Sequence, residues 1–155
     1  MRPAPDEGSM VLLTRLARVV YRRATESVLG MRLKEYTSLC YLRDHEPLTQ
    51  QALAEAMHLD ANNCVLLLNE LEAAGLAERR RDPTDRRRHL VAINPAGRQA
   101  LERAERALES VEDEVLGSLS ASERATLRSL LSRALEGEAR MAAAERPGPA
   151  DARSS

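Results

Sequence analysis

Hydrophobic positions along the 155-residue chain change period twice, and the changes divide it into elements. From Ser9 to about Leu29 a broad apolar face of Leu12, Leu13, Leu16, Val19, Val20, Ala24 and Val28 predicts one helix, capped by Ser9 and ended by Gly30. A second helix, about Leu33 to Asp44, carries Leu33, Tyr36, Leu39 and Cys40 on one side, and Pro47 closes that segment. Thr49 is a good N-cap for a short helix from Gln50 to Met57 that buries Leu53, Ala56 and Met57, with Leu48 stapling onto Leu53. Asp60 caps the next helix, Ala61 to Ala74, with Leu59 stapling toward Cys64, and Gly75 is suited to a left-handed stop. Three residues separate these two helices, the spacing of a helix-turn-helix.

The period then shortens. Leu76 to Arg81 and Arg88 to Ile93 read as strands around the turn Asp82-Pro83-Thr84-Asp85. Asn94 with Pro95 starts a long helix, on which Leu101, Ala104, Leu108, Val111 and Val115 recur at coiled-coil spacing. That seam fits self-association or packing within the chain. Ser120 and Glu123 form a capping box for a last helix bearing Leu127, Leu130, Leu131, Ala134, Leu135 and Met141. The expected fold is mainly α with a small β-hairpin wing, a winged helix-turn-helix over residues 31–93. Dimerisation helices flank it at 9–30 and 94–145, with disordered ends at 1–8 and 146–155.

Composition sharpens this in three ways. With 2 % aromatic residues and no Trp or Phe, the core must be Leu, Val, Ala and Met. A net charge of -1 gives no global basic signal, so the placement of arginine decides whether nucleic acid is a partner. Two isolated cysteines, no signal-like apolar run at the start and no long apolar stretch predict a cytoplasmic chain outside the membrane.

Two segments carry candidate chemistry. On a wheel of residues 61–74, Cys64, Leu67, Leu68 and Leu71 face inward, and Asn62, Leu66, Asn69, Glu70 and Ala73 face outward. An outward Asn can bond the adenine edge in the major groove, and an apolar group can meet the thymine methyl. Leu66 can equally be a solitary exposed leucine. Next come Arg79, Arg80 and Arg81, then Arg86, Arg87 and Arg88 across the turn. Six guanidiniums offset by Asp82 and Asp85 make a cationic finger suited to phosphates and a narrow minor groove, against the plainer reading of a solvated hairpin. Asp85 can orient Arg87 by a charge-assisted pair or simply form the turn.

The ordered set Leu48-Thr49, Leu53-Ala54, Leu71-Glu72-x-x-Gly75-Leu76, Arg79, Asp85-Arg86-Arg87 and Asn94-Pro95-x-Gly97 resembles the MarR family of bacterial transcription regulators. The resemblance implies a homodimer paired through its first and last two helices. It implies a palindromic double-stranded DNA operator, probed in the minor groove by the wing-tip pair Asp85 and Arg87. Implied DNA contacts are Thr49, Gln50, Asn62, Asn63, Leu66, Asn69, Arg79, Arg81, Asp85, Arg86, Arg87 and Arg88. The chain departs from the pattern at Asn62, Asn63, Val65 and Leu66, where relatives carry small hydroxyl residues and an Arg. It departs also at His58 in place of Gly and Asn94 in place of Thr. Without an Arg on the reading face, phosphate and wing contacts carry more of the affinity.

Relatives respond to small aromatic or phenolic effectors, for which Tyr21, Tyr36, Cys40, Tyr41 and His45 are the candidate lining, or to thiol oxidation. Tyr36 and Cys40 can equally be core residues. Cys64 can be a small hydrophobe, or a redox switch whose pKa the nearby helix start lowers. His45, His58 and His89 lack ligand spacing, and no catalytic motif appears, so neither metal, cofactor nor enzymatic activity is expected. The expected function is a sequence-specific DNA-binding regulator, a repressor. Its alternative is a winged-helix protein-interaction module that uses the exposed Leu66 face.

Overall fold

The computed structural model describes residues 4–145, and the chain divides into two units, residues 1–115 and residues 116–155. The elements of the first unit are α1 (Ser9–Arg23), α2 (Glu26–Leu29), α3 (Leu33–His45), β1 (Leu48–Thr49), α4 (Gln50–Ala56), α5 (Ala61–Ala73), β2 (Ala77–Arg81), β3 (His89–Ile93) and α6 (Pro95–Val115). The second unit holds α7 (Ala121–Ala144).

The single first helix expected from Ser9 to Leu29 is two helices. Ala24 leaves the helical region at φ −83°, ψ 61°, and Thr25 is extended ahead of α2. Ala24 and Leu29 are both buried. In an unbroken helix they would lie about 140° apart and could not face one core, so the break brings both inward. Gly8, not Ser9, holds the N-cap position, and Gly30 ends α2 at φ 75°.

Leu39, Leu42, Leu53, Leu67, Leu68, Leu71, Val91 and Leu101 are fully buried and draw α3, α4, α5, β3 and α6 onto one core. Thr49 caps α4 by accepting from the Ala52 amide, and Asp60 caps α5 by accepting from the Asn63 amide. Between them His58 sits at φ 53°, a left-handed conformation that glycine adopts more readily. The end of α5 is a Schellman turn. Gly75, at φ 70°, donates to the Glu72 carbonyl at 2.9 Å, and Leu76 donates to the Leu71 carbonyl at 2.9 Å.

The hairpin has a third strand that the two-residue length of Leu48–Thr49 conceals. The antiparallel order is β1-β3-β2, with Leu48 opposite Val91, Ala77 opposite Ile93 and Arg81 opposite His89. Asn94 starts α6 by accepting from the Gly97 amide at 2.8 Å and donates its own amide to the Gly75 carbonyl at 2.7 Å. Gly97 lies against the start of β2, where an added Cβ would stand 2.0 Å from the Leu76 carbonyl oxygen.

The seam on α6 packs within the chain: Leu101, Ala104 and Val111 are buried, Leu108 and Val115 half-buried, and the helix rests on α2 and α3. On α7 the Ser120–Glu123 capping box forms, yet no residue of that helix is buried. The expected disordered tail, 146–155, lies outside the described residues, as do residues 1–3.

Candidate nucleic-acid interface

Burial of Cys64, Leu67, Leu68 and Leu71 fixes the rotation of α5, so Asn62, Asn63, Val65, Leu66, Asn69, Glu70 and Ala73 are exposed. No Lys or Arg occurs on α5, which carries Glu70 and Glu72. Each carboxylate is met by an arginine from another element. Arg32, at the start of α3, bonds Glu70 and also Glu35. Arg79 of β2 donates its Nε to Glu72 at 3.0 Å and its Nη2 to the other oxygen at 2.8 Å, while its backbone amide reaches Glu72 at 2.9 Å. The same guanidinium bonds the Asn69 side-chain oxygen. These bonds hold Glu72 below the usual carboxylate range. Both carboxylates of α5 thereby have an arginine partner, Arg79 for Glu72 and Arg32, shared with Glu35, for Glu70.

The six wing arginines have different tasks. Arg79 is the clamp just described, half-buried beside α5. Arg81 donates to the Arg86 carbonyl at 3.4 Å. Arg88 faces the Asp82 carboxylate at 3.5 Å and that of Asp85 at 3.8 Å. Asp82 is buried and closes the loop: one oxygen accepts from the Thr84 amide and hydroxyl at 2.9 and 2.7 Å, which keeps its carboxyl below the usual range. Sequence inspection marks Asp82 as a turn former and charge offset; its burial follows from closure of the loop over it. Asp85 accepts from the Arg87 backbone amide at 3.0 Å, so it aims the Arg87 main chain, and its charge partner is Arg88 rather than the Arg87 guanidinium. Arg80, Arg86 and Arg87 are exposed, and among the described residues their guanidiniums meet no carboxylate.

Thr49, Gln50, Ala61, Cys64, Arg87 and Arg88 line one open groove of about 550 Å³ between α4, the start of α5 and the wing. Of the expected contacts, Thr49, Gln50, Arg87 and Arg88 line this groove, with the Thr49 hydroxyl already engaged as a cap, while Asn62, Asn63, Leu66, Asn69, Arg79, Arg81, Asp85 and Arg86 lie outside it. Burial pushes the Cys64 thiol up, the reverse of the lowering expected from its place near a helix start.

Of the candidate effector residues, Tyr36, Cys40 and Tyr41 are half-buried on α3 against the core, and Tyr21 lies on another helix. Tyr36 and Cys40 interact with each other, and burial pushes the Tyr36 phenol and the Cys40 thiol up. Tyr41 stacks on His45 with ring centres 4.0 Å apart, about 140° further round the helix. Tyr21 is 68 % exposed on α1. Among the described residues no cluster of His, Cys, Asp or Glu could hold a metal, and no helix is long and apolar enough to cross a membrane.

Residues 32–89 match the model of the MarR family. The chain is 41 % identical over 98 residues to a candidate transcriptional regulatory protein for the hcr operon of Thauera aromatica, which covers 63 % of this chain and 59 % of that one. It is 32 % identical over 90 residues to the transcriptional regulator HosA of Escherichia coli O111:H-, covering 58 % of this chain and 67 % of that one. These matches span about three fifths to two thirds of the relatives' length. In three dimensions the chain resembles a crystal structure of MarR with a TM-score of 0.79 at 23 % identity, over 92 % of this chain and 99 % of that one.

Proposed function

This chain belongs to the MarR family, and from that premise we propose that it is a transcriptional repressor that binds a palindromic operator as a homodimer in the cytoplasm. In each copy α5 lies in the major groove and Arg87 enters the neighbouring minor groove. One observation carries the reading: Arg86 and Arg87 stand exposed without a carboxylate partner among the described residues, at the end of a wing anchored through Arg79 to Glu72 of the reading helix. Water alone would solvate such cations, but directly after a helix-turn-helix they also match what phosphates and a narrow minor groove attract.

The apolar residues left open on α1 (Met10, Val11, Leu12, Leu13) and on α7 (Leu130, Leu131, Leu135, Met141) supply material for pairing two copies. A small aromatic or phenolic effector would act at α3, where Tyr36, Cys40 and Tyr41 are half-buried against the core and His45 stacks on Tyr41, with Tyr21 on α1 as the further candidate.

Fluorescence anisotropy on short duplexes tests the DNA reading. The logarithm of affinity falls linearly with that of salt, and Arg87→Ala lowers affinity about tenfold while making the slope shallower by about one unit. An affinity untouched by Arg87→Ala would contradict the placement of the wing.

A further inference from the structure

The residues on the outward face of α5 are not equally available to a base. Glu70 is held by Arg32. The Asn69 side-chain oxygen accepts from Arg79, which is itself fastened to Glu72. The Asn63 amide donates to Asp60 at 2.7 Å, on the carboxylate that also caps the helix. Ala73 carries no polar group. Two side chains at the centre of the face remain. Asn62 is exposed, and its amide makes no hydrogen bond among the described residues. Leu66, one turn later, is 58 % exposed and stands beside the less exposed Val65.

We propose that Leu66 is a specificity-determining residue. It selects a thymine in each operator half-site by covering the C5-methyl group, about two base pairs from an adenine held by Asn62. The inference rests on the DNA-binding reading above. An asparagine amide offers one donor and one acceptor side by side, which the N7 and N6 edge of adenine matches. A leucine has no polar atom. Against guanine O6 or cytosine N4 it strips water without replacing the lost bond, and against the thymine methyl it gains contact. Residues four apart on a helix are separated by about 6 Å along its axis, close to two base-pair steps.

The experiment is selection of the full-length chain on a random-sequence duplex library. The enriched duplex is then resynthesised with deoxyuridine replacing each thymine in turn, which removes the methyl and keeps the pairing. At one symmetry-related pair of thymines the wild type loses about fourfold in affinity per half-site, the factor for one buried methyl-sized group. Leu66→Ala, an exposed change that leaves the core intact, binds thymine and uracil duplexes alike at that position. A wild type that binds duplex yet reads thymine and uracil equally everywhere overturns the inference, as does a Leu66→Ala chain that keeps the difference. A chain that retains no duplex at low salt overturns the DNA-binding reading, and this inference with it.

Discussion

Glu72 and Asp60 sit at opposite ends of the reading helix, and both are held in the charged form by hydrogen bonds, from Arg79 and from the Asn63 amide. Asp82 does the same inside the wing loop through Thr84. Lowered carboxyl pKa values stabilise the fold above the unfolded values, near pH 4, and that contribution is lost as pH falls through the folded values. Thermal melts should therefore hold a steady midpoint from neutral pH down to about pH 5 and decline below pH 4. Glu72→Gln should remove part of that decline by removing one of the groups responsible. The thiols behave in the opposite sense: burial raises Cys64 and Cys40, so both stay protonated near neutrality. Alkylation of Cys64 by iodoacetamide in the native chain should be far slower than after unfolding, and equal rates would restore it as a redox candidate.

At the scale of elements, the join between α5, β2 and α6 depends on a glycine. Gly97 brings α6 so close to the start of β2 that a Cβ would overlap the Leu76 carbonyl, a backbone atom with no rotamer to yield. Gly97→Ala should cost about 1–3 kcal/mol in a denaturant titration, with the slope of the transition unchanged. The Asn94-Pro95-x-Gly97 string showed in the sequence as a helix start, but the need for glycine there belongs to a contact 21 positions away. The same division runs through the interface. The inward face of α5 was legible because Cys64, Leu67, Leu68 and Leu71 repeat at the helical period, and local caps such as Thr49, Asp60 and Ser120 were legible for the same local reason. The partners of Glu70 and Asn69 were not, because Arg32 and Arg79 approach from other elements. The resemblance picked out Arg87, but the sequence did not show which of the other arginines are engaged within the chain. Packing of β2 on α5 engages Arg79, the loop geometry engages Arg81 and Arg88, and Arg80, Arg86 and Arg87 stay exposed. The break at Ala24 was hidden because both halves of the segment keep helical periodicity.

For the whole molecule the question is what covers the apolar side chains that the single chain leaves in water. On α7 no residue is buried, and Leu135 and Met141 are 64 % and 66 % exposed; on α1 Met10 is 70 % exposed. The coiled-coil seam of α6 is not available for this purpose, since it is spent on α2 and α3. Sedimentation equilibrium should give a dimer at micromolar concentration, and the double change Leu131→Asp with Leu135→Asp should give a monomer with operator affinity reduced at least a hundredfold. A wild-type monomer would leave those surfaces without a purpose.

Hydroxyl-radical footprinting of the full-length chain on a duplex enriched from a random library tests the twofold placement of α5 and the wing most directly. The expected result is two protected blocks related by a twofold axis, with centres about 10 base pairs or a multiple apart, each flanked by a minor-groove protection that disappears with Arg87→Ala. A single unpaired block, or flanking protections that survive Arg87→Ala, would contradict it.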